Sequence, residues 1–123
     1  MRMLIVDDSN MIRSRISRVV QSGGVAGVSL VGLARNGAEA VRIARATQPE
    51  VVTMDLTMPE MDGVECIGQL LRLFPKINIL VVSALSDKAT AIAALMLGAR
   101  GFVAKPFTDD ELKMALLEVT ETR

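Results

Sequence analysis

Val51-Val52-Thr53-Met54-Asp55 is a short, almost wholly aliphatic run that ends on a carboxylate. Runs of this kind read as strands buried on both faces of a parallel sheet. Three other stretches repeat the pattern. Met3-Leu4-Ile5-Val6 leads into Asp7-Asp8, the mostly aliphatic Ile77–Val82 leads into Ser83, and Gly101-Phe102-Val103-Ala104 leads into Lys105 and Pro106. In open α/β sheets, ligands sit just outside the carboxyl ends of the strands. Placed in one sheet, these runs bring three carboxylates, a hydroxyl and an ammonium to one rim. That set suits a divalent cation and a phosphoryl group.

Working outward, the chain reads as five strands alternating with five helices. The strands fall at about Arg2–Asp7, Val28–Ala34, Val51–Asp55, Ile77–Ser83 and Gly101–Ala104. A first helix spans Asn10–Ser22, with Met11, Ile12, Ile16, Val19 and Val20 as its apolar stripe and Arg13, Arg15 and Arg18 facing water. Ser9 suits its N-cap, and Gly23-Gly24 and Gly27 end it. A second helix, Gly37–Thr47, stops at Gln48-Pro49. A long loop, Leu56–Asp62, closes at Gly63, where a third helix runs to about Phe74. The Ala- and Leu-rich fourth helix, Lys88–Leu97, has Gly98 as its C-terminal cap. Thr108-Asp109-Asp110-Glu111 is a capping box opening a fifth helix to roughly Thr120. Strict βα alternation predicts a doubly wound α/β fold: a five-stranded parallel sheet, helices on both faces, right-handed crossovers. No linker or low-complexity stretch divides it, so residues 1–123 are expected to form one domain.

Composition narrows the function. Fourteen basic and fourteen acidic residues cancel, so no general electrostatic pull draws the chain to nucleic acid or to anionic membrane. No apolar segment approaches the ~20 residues of a membrane span, and the N-terminus runs straight into a strand without a signal peptide. A cytoplasmic location is therefore expected. With no histidine, Ser-His-Asp and Cys-His catalysis are excluded, and a phosphohistidine intermediate must lie on another protein. The single cysteine, Cys66, forbids an internal disulfide and reads as a small packed hydrophobe in the third helix.

A lone strand-end aspartate is ordinarily a helix cap or a solvated turn. Three together are different, because two unit charges ~4 Å apart repel by about 4 kcal/mol at an effective dielectric of ~20. Oxygen-only ligation is what Mg²⁺ prefers, so a bound Mg²⁺ (or Mn²⁺) makes the cluster of Asp7, Asp8 and Asp55 affordable. Lys105 reads either as an ion-pair partner of these carboxylates or as an ammonium that meets a phosphoryl oxygen. Ser83 reads either as a turn hydroxyl or as a donor to that oxygen. Asp55, leading into the long loop, is the candidate nucleophile, with Asp7 and Asp8 as metal holders.

Val6-Asp7-Asp8-Ser9, Met54-Asp55-Leu56-Thr57-Met58-Pro59-Glu60-Met61-Asp62-Gly63, Gly101-Phe102-Val103-Ala104-Lys105-Pro106-Phe107 and Asn36-Gly37-Ala38-Glu39-Ala40 together resemble the receiver domain of two-component response regulators. The likeness runs from Met3 to the fifth helix. It implies a flavodoxin-like (CheY-like) sheet of order 2-1-3-4-5 and a cis Lys105-Pro106 bond. It implies that Asp55 accepts the phosphoryl group. Asp8 and Asp55 would ligate Mg²⁺ directly with the Thr57 backbone carbonyl, and Asp7 mainly through water. Ser83 matches the switch hydroxyl, commonly Thr. Phe102 matches the aromatic switch position, often Tyr, and fits a core aromatic equally well. Thr57 and Leu85 flank the site where the family tunes acyl-phosphate hydrolysis.

The expected function is a signalling domain rather than an enzyme acting on a separate substrate. It takes phosphate from a histidine kinase or phosphotransfer protein and switches the face made by helix four, strand five and helix five for a downstream partner. A stand-alone chemotaxis-type regulator is the first reading. A receiver cut from a larger transcription factor or methylesterase is the second, since Leu30–Gly37 resembles receivers of those proteins. An Asp-nucleophile phosphatase is the third; such enzymes carry a second aspartate two residues on, where this chain has Thr57. A nucleotide-binding fold fails for want of a phosphate-cradling loop after a strand.

Overall fold

A computed structural model describes residues 1–121. Along the chain run β1 (Arg2–Val6), α1 (Asn10–Val19), β2 (Ser29–Ala34), α2 (Gly37–Thr47), β3 (Val51–Met54), α3 (Gly63–Leu73), β4 (Asn78–Ala84), α4 (Lys88–Leu97), β5 (Gly101–Lys105) and α5 (Asp109–Glu121). All four strand pairings are parallel, in the order β2-β1-β3-β4-β5. The expected fold class and strand order are therefore both present, and the strand limits shift by only a residue.

Side-chain alternation along the strands divides the core in two. Leu4, Val6, Val52, Met54, Ile79 and Val81 face one side with α2, α3 and α4. Met3, Ile5, Val51, Leu80, Val82 and Val103 face the other with α1 and α5. Both faces of the inner strands are covered, which is why β1, β3 and β4 read as continuous aliphatic runs instead of alternating.

The helix ends follow local chemistry. Ser9 Oγ accepts from the Ile12 N–H, Asn36 Oδ1 from that of Glu39, and Asp62 Oδ1 from that of Glu65. The capping box forms both of its bonds: Glu111 N–H donates to Thr108 Oγ1 at 3.1 Å, and Thr108 N–H donates to Glu111 Oε1 at 2.8 Å. α1 loosens into a wide π turn over Val20–Gly24, in which Gly23 takes φ +82° and stops the helix.

The stripe assigned to α1 needs correction. Met11 is 81 % exposed, whereas Arg13, expected in water, is only 8 % exposed. At 100° per residue, Arg13 sits three positions before Ile16 and shares its inward face, while Met11 lies five back and points away. Cys66 is fully buried, and burial pushes its thiol up to about 12, as a packed, unreactive side chain requires.

α3 begins pressed against the end of β3. A Cβ at Gly63 would lie 2.4 Å from the Asp55 carbonyl oxygen and 2.6 Å from Leu56 Cα, both backbone atoms that cannot swing aside. Gly68, a turn further along the same helix, has only Arg72 Nη1 nearby, at 4.0 Å. Urea unfolding should give opposite signs for the two alanine substitutions. Gly63→Ala is expected to destabilise by on the order of 2–3 kcal/mol through backbone displacement. Gly68→Ala is expected to stabilise by about 0.5–1 kcal/mol through helix propensity.

Candidate functional site at the carboxyl rim of the sheet

The sheet's own ladder fixes the acids. Beyond the last paired residue of each strand, Asp7 N–H donates to Ala34 O at 3.0 Å and Asp55 N–H to Val6 O at 2.9 Å. Asp7 and Asp55 are thus held as rigidly as strand residues, at 1 % and 4 % exposure, while Asp8 turns to solvent. One oxygen from each of Asp7, Asp8 and Asp55 lies within 4.8 Å of the others. At that spacing each charge pair costs roughly 3 kcal/mol at an effective dielectric of 20.

Lys105, at the end of β5, supplies the counter-charge. Its Nζ stands 2.8 Å from Asp7 Oδ2 and 3.5 Å from Asp55 Oδ1. The Lys105-Pro106 bond is cis, as the resemblance implied. Burial works to lower the Lys105 ammonium's pKa, but the bond to Asp7 and then the charge of Asp55 hold it above its ordinary value. The Asp55 carboxyl is pushed up from 3.8 to about 6, first by burial and then by the charge of Asp7, against the pull of Lys105 and the Thr57 N–H. That N–H meets Asp55 Oδ1 at 3.3 Å. One ammonium among three crowded carboxylates leaves uncompensated negative charge. The donors are all hard oxygens, which fits a small divalent cation such as Mg²⁺.

A depression of about 400 Å³ opens beside these groups, lined by Asp8, Asp55, Thr57, Ser83, Ala84, Ser86, Asp87 and Lys105. All the rim residues singled out in the sequence thus meet in one place, with Asp7 buried behind Lys105. Phe102 stands apart, half-buried against the α2–α4 side of the core. It borders surface grooves that it shares with Leu85, Ile92 and Met114.

Two site residues escaped the sequence reading. Arg13 reaches back from α1, donates from Nη1 to the Asp7 carbonyl oxygen at 2.5 Å and bonds Asn10 Oδ1 from Nη2. Its helical phase, three residues before Ile16, was the available signal. Asp87 accepts from Ser83 Oγ at 2.8 Å and from Thr57 Oγ1 at 3.1 Å, both on Oδ2. Only its position one residue ahead of a helix marks it in the sequence, and that position ordinarily signals a cap.

A model of the response regulator receiver domain matches residues 3–117. The chain belongs to that family. It is 38 % identical over 120 residues to the chemotaxis protein CheY of Thermotoga maritima, covering 98 % of both chains. It is 40 % identical over 122 residues to a protein-glutamate methylesterase/protein-glutamine glutaminase of Carboxydothermus hydrogenoformans, of which it spans 33 %. In structure it matches the crystallised CheX–CheY–BeF3–Mg²⁺ complex of Borrelia burgdorferi with a TM-score of 0.89, at 27 % identity, covering 98 % of this chain and 89 % of that one. Among the described residues no helix is long and apolar enough to cross a membrane.

The raised Asp55 carboxyl has a stability consequence. Between about 4 and about 6 the folded protein keeps a proton that the unfolded chain, at its ordinary 3.8, has lost. Stability from this group is present below 3.8 and is lost as pH rises through about 6. In EDTA, Asp55→Asn should match the wild type near pH 4 and exceed it at pH 7 by on the order of 1–3 kcal/mol in urea unfolding. Saturating Mg²⁺ should close that gap by stabilising the wild type.

Proposed function

We infer that this chain is a phosphoacceptor switch in which Asp55 takes a phosphoryl group from a phosphohistidine of a histidine kinase or phosphotransfer protein. The observation that carries the reading is the Asp55 carboxylate itself. It lies 3.5 Å from an ammonium, within 4.8 Å of two further carboxylates, at the edge of an open depression. An Asp55 oxygen bonds to phosphorus as the phosphorus–nitrogen bond of the donor breaks. The electron pair of that bond leaves with the imidazole, which takes a proton from solvent. Lys105 moves its second contact from Asp55 to a phosphoryl oxygen and keeps Asp7 neutralised. Asp7, Asp8, Asp55 and the Thr57 backbone carbonyl would hold Mg²⁺, which when bound neutralises charge on the transferring group.

The product is a mixed anhydride bearing up to two negative charges and three acceptor oxygens. Ser83 turns its hydroxyl to one of them, and Phe102 follows by packing alone, since it lacks a tyrosine hydroxyl. The surface that reads this change is the α4–β5–α5 face. Leu85, Ile92, Leu95, Met96 and Met114 stand exposed on and beside it, an apolar surface fit for a protein partner. The 38 % identity to a CheY supports a chemotaxis-type regulator. The 40 % identity to the receiver portion of a methylesterase supports a receiver coupled to an output domain as the second reading. The length of the natural gene separates the two. A phosphatase is disfavoured, because Thr57 stands where its acid would be and donates its hydroxyl to Asp87.

Incubation with Mg²⁺ and acetyl phosphate, followed by intact mass, is the direct test. One added phosphoryl group is expected for the wild type and none for Asp55→Asn or in EDTA. A wild-type chain whose mass never changes would overturn the proposal.

A further inference from the structure

We propose that Asp87 is a latch on the resting state: its carboxylate competes with the phosphoryl group for the Ser83 hydroxyl. The inference rests on the phosphoacceptor reading and adds a positioning residue to it. Ser83 Oγ has one proton, and at 2.8 Å that proton is given to Asp87 Oδ2. Thr57 Oγ1, from the β3–α3 loop, gives its proton to the same oxygen at 3.1 Å. A hydroxyl so engaged has nothing to donate to a phosphoryl oxygen on Asp55. Both bonds are charge-assisted, the stronger kind.

A second observation shows that the side chain is diverted. Asp87 directly precedes α4, at the N-cap position, yet its carboxylate makes no capping bond to the helix. An aspartate there ordinarily accepts from the first-turn N–H groups. Here the backbone instead takes a 3₁₀ turn over Leu85–Asp87, and the carboxylate faces the rim, beside Ser83, Thr57 and Lys105 in the depression. Releasing Ser83 therefore removes one of the two hydroxyls held on Asp87 Oδ2 and leaves the Thr57 hydroxyl as the tie between the β4–α4 turn and the β3–α3 loop, so the carboxylate that directly precedes α4 is held less firmly. The acyl phosphate would thereby change the N-terminus of the helix that carries the apolar face.

Beryllium fluoride with saturating Mg²⁺, titrated against ¹⁵N-labelled protein by NMR, reads the competition directly. Asp87→Asn keeps the shape but replaces a charge-assisted acceptor with a neutral one, so beryllofluoride should bind tighter by on the order of fivefold. Asp87→Ala should act in the same direction. The gain should vanish in a Ser83→Ala background, where there is no hydroxyl to release. Loss of a nearby negative charge alone would raise affinity equally with and without Ser83. Unchanged or weaker binding by both Asp87 variants, or a gain that persists in Ser83→Ala, overturns the latch while leaving the phosphoacceptor reading intact. A wild type that binds no beryllofluoride, and gains no mass from acetyl phosphate, removes both.

Discussion

The ammonium of Lys105, wedged between Asp7 and Asp55, is the contact on which the rest of the rim depends. Two buried carboxylates cannot share a strand edge at this spacing without a positive charge, and the next in line, Asp8, is left to water. The protein holds the acids there by continuing the parallel ladder past its formal end, through Asp7 N–H to Ala34 O and Asp55 N–H to Val6 O. Backbone bonds of this sort do not relax when the charge on the side chains changes. The electrostatic strain stays in the site instead of being dispersed, and a small divalent cation would relieve it.

Around that centre the neighbours act through the backbone more than through direct contact. Arg13 grips the Asp7 carbonyl from the α1 side. Gly63 lets α3 come so close to Asp55 and Leu56 that no side chain fits between them. Thr57, from the β3–α3 loop, and Ser83, near the end of β4, converge on one oxygen of Asp87. The β3–α3 loop and the β4–α4 turn are thereby fastened to each other and to the end of β4 at the rim.

The fold was legible because every level of the sequence agrees. Aliphatic runs such as Ile79–Val82, the Ser9 and Thr108 caps, and the glycines at 23 and 98 all specify the same alternation. The rim residues Asp7, Asp8, Asp55, Ser83 and Lys105 were legible for the same reason, since each terminates a strand. Arg13 was not, because charge outweighed helical phase in judging its direction. Asp87 was not, because its hydrogen bonds depend on where the β3–α3 and β4–α4 loops meet, a juxtaposition of residues thirty apart that no local pattern encodes. Phe102 rests with one side on the core and borders open grooves with the other.

α4 differs from the other helices in how it is seated. α3 drives Cys66, Ile67 and Leu70 into the interior, whereas α4 is buried only at Ala91 and Ala94, with its larger side chains turned outward. Two methyl groups give a smooth, shallow footing with little interlocking shape. A helix keyed in by branched side chains must lift over its neighbours to move; one resting on alanines can slide. In this molecule a lightly seated helix therefore begins one residue past Asp87, at the carboxyl rim of the sheet.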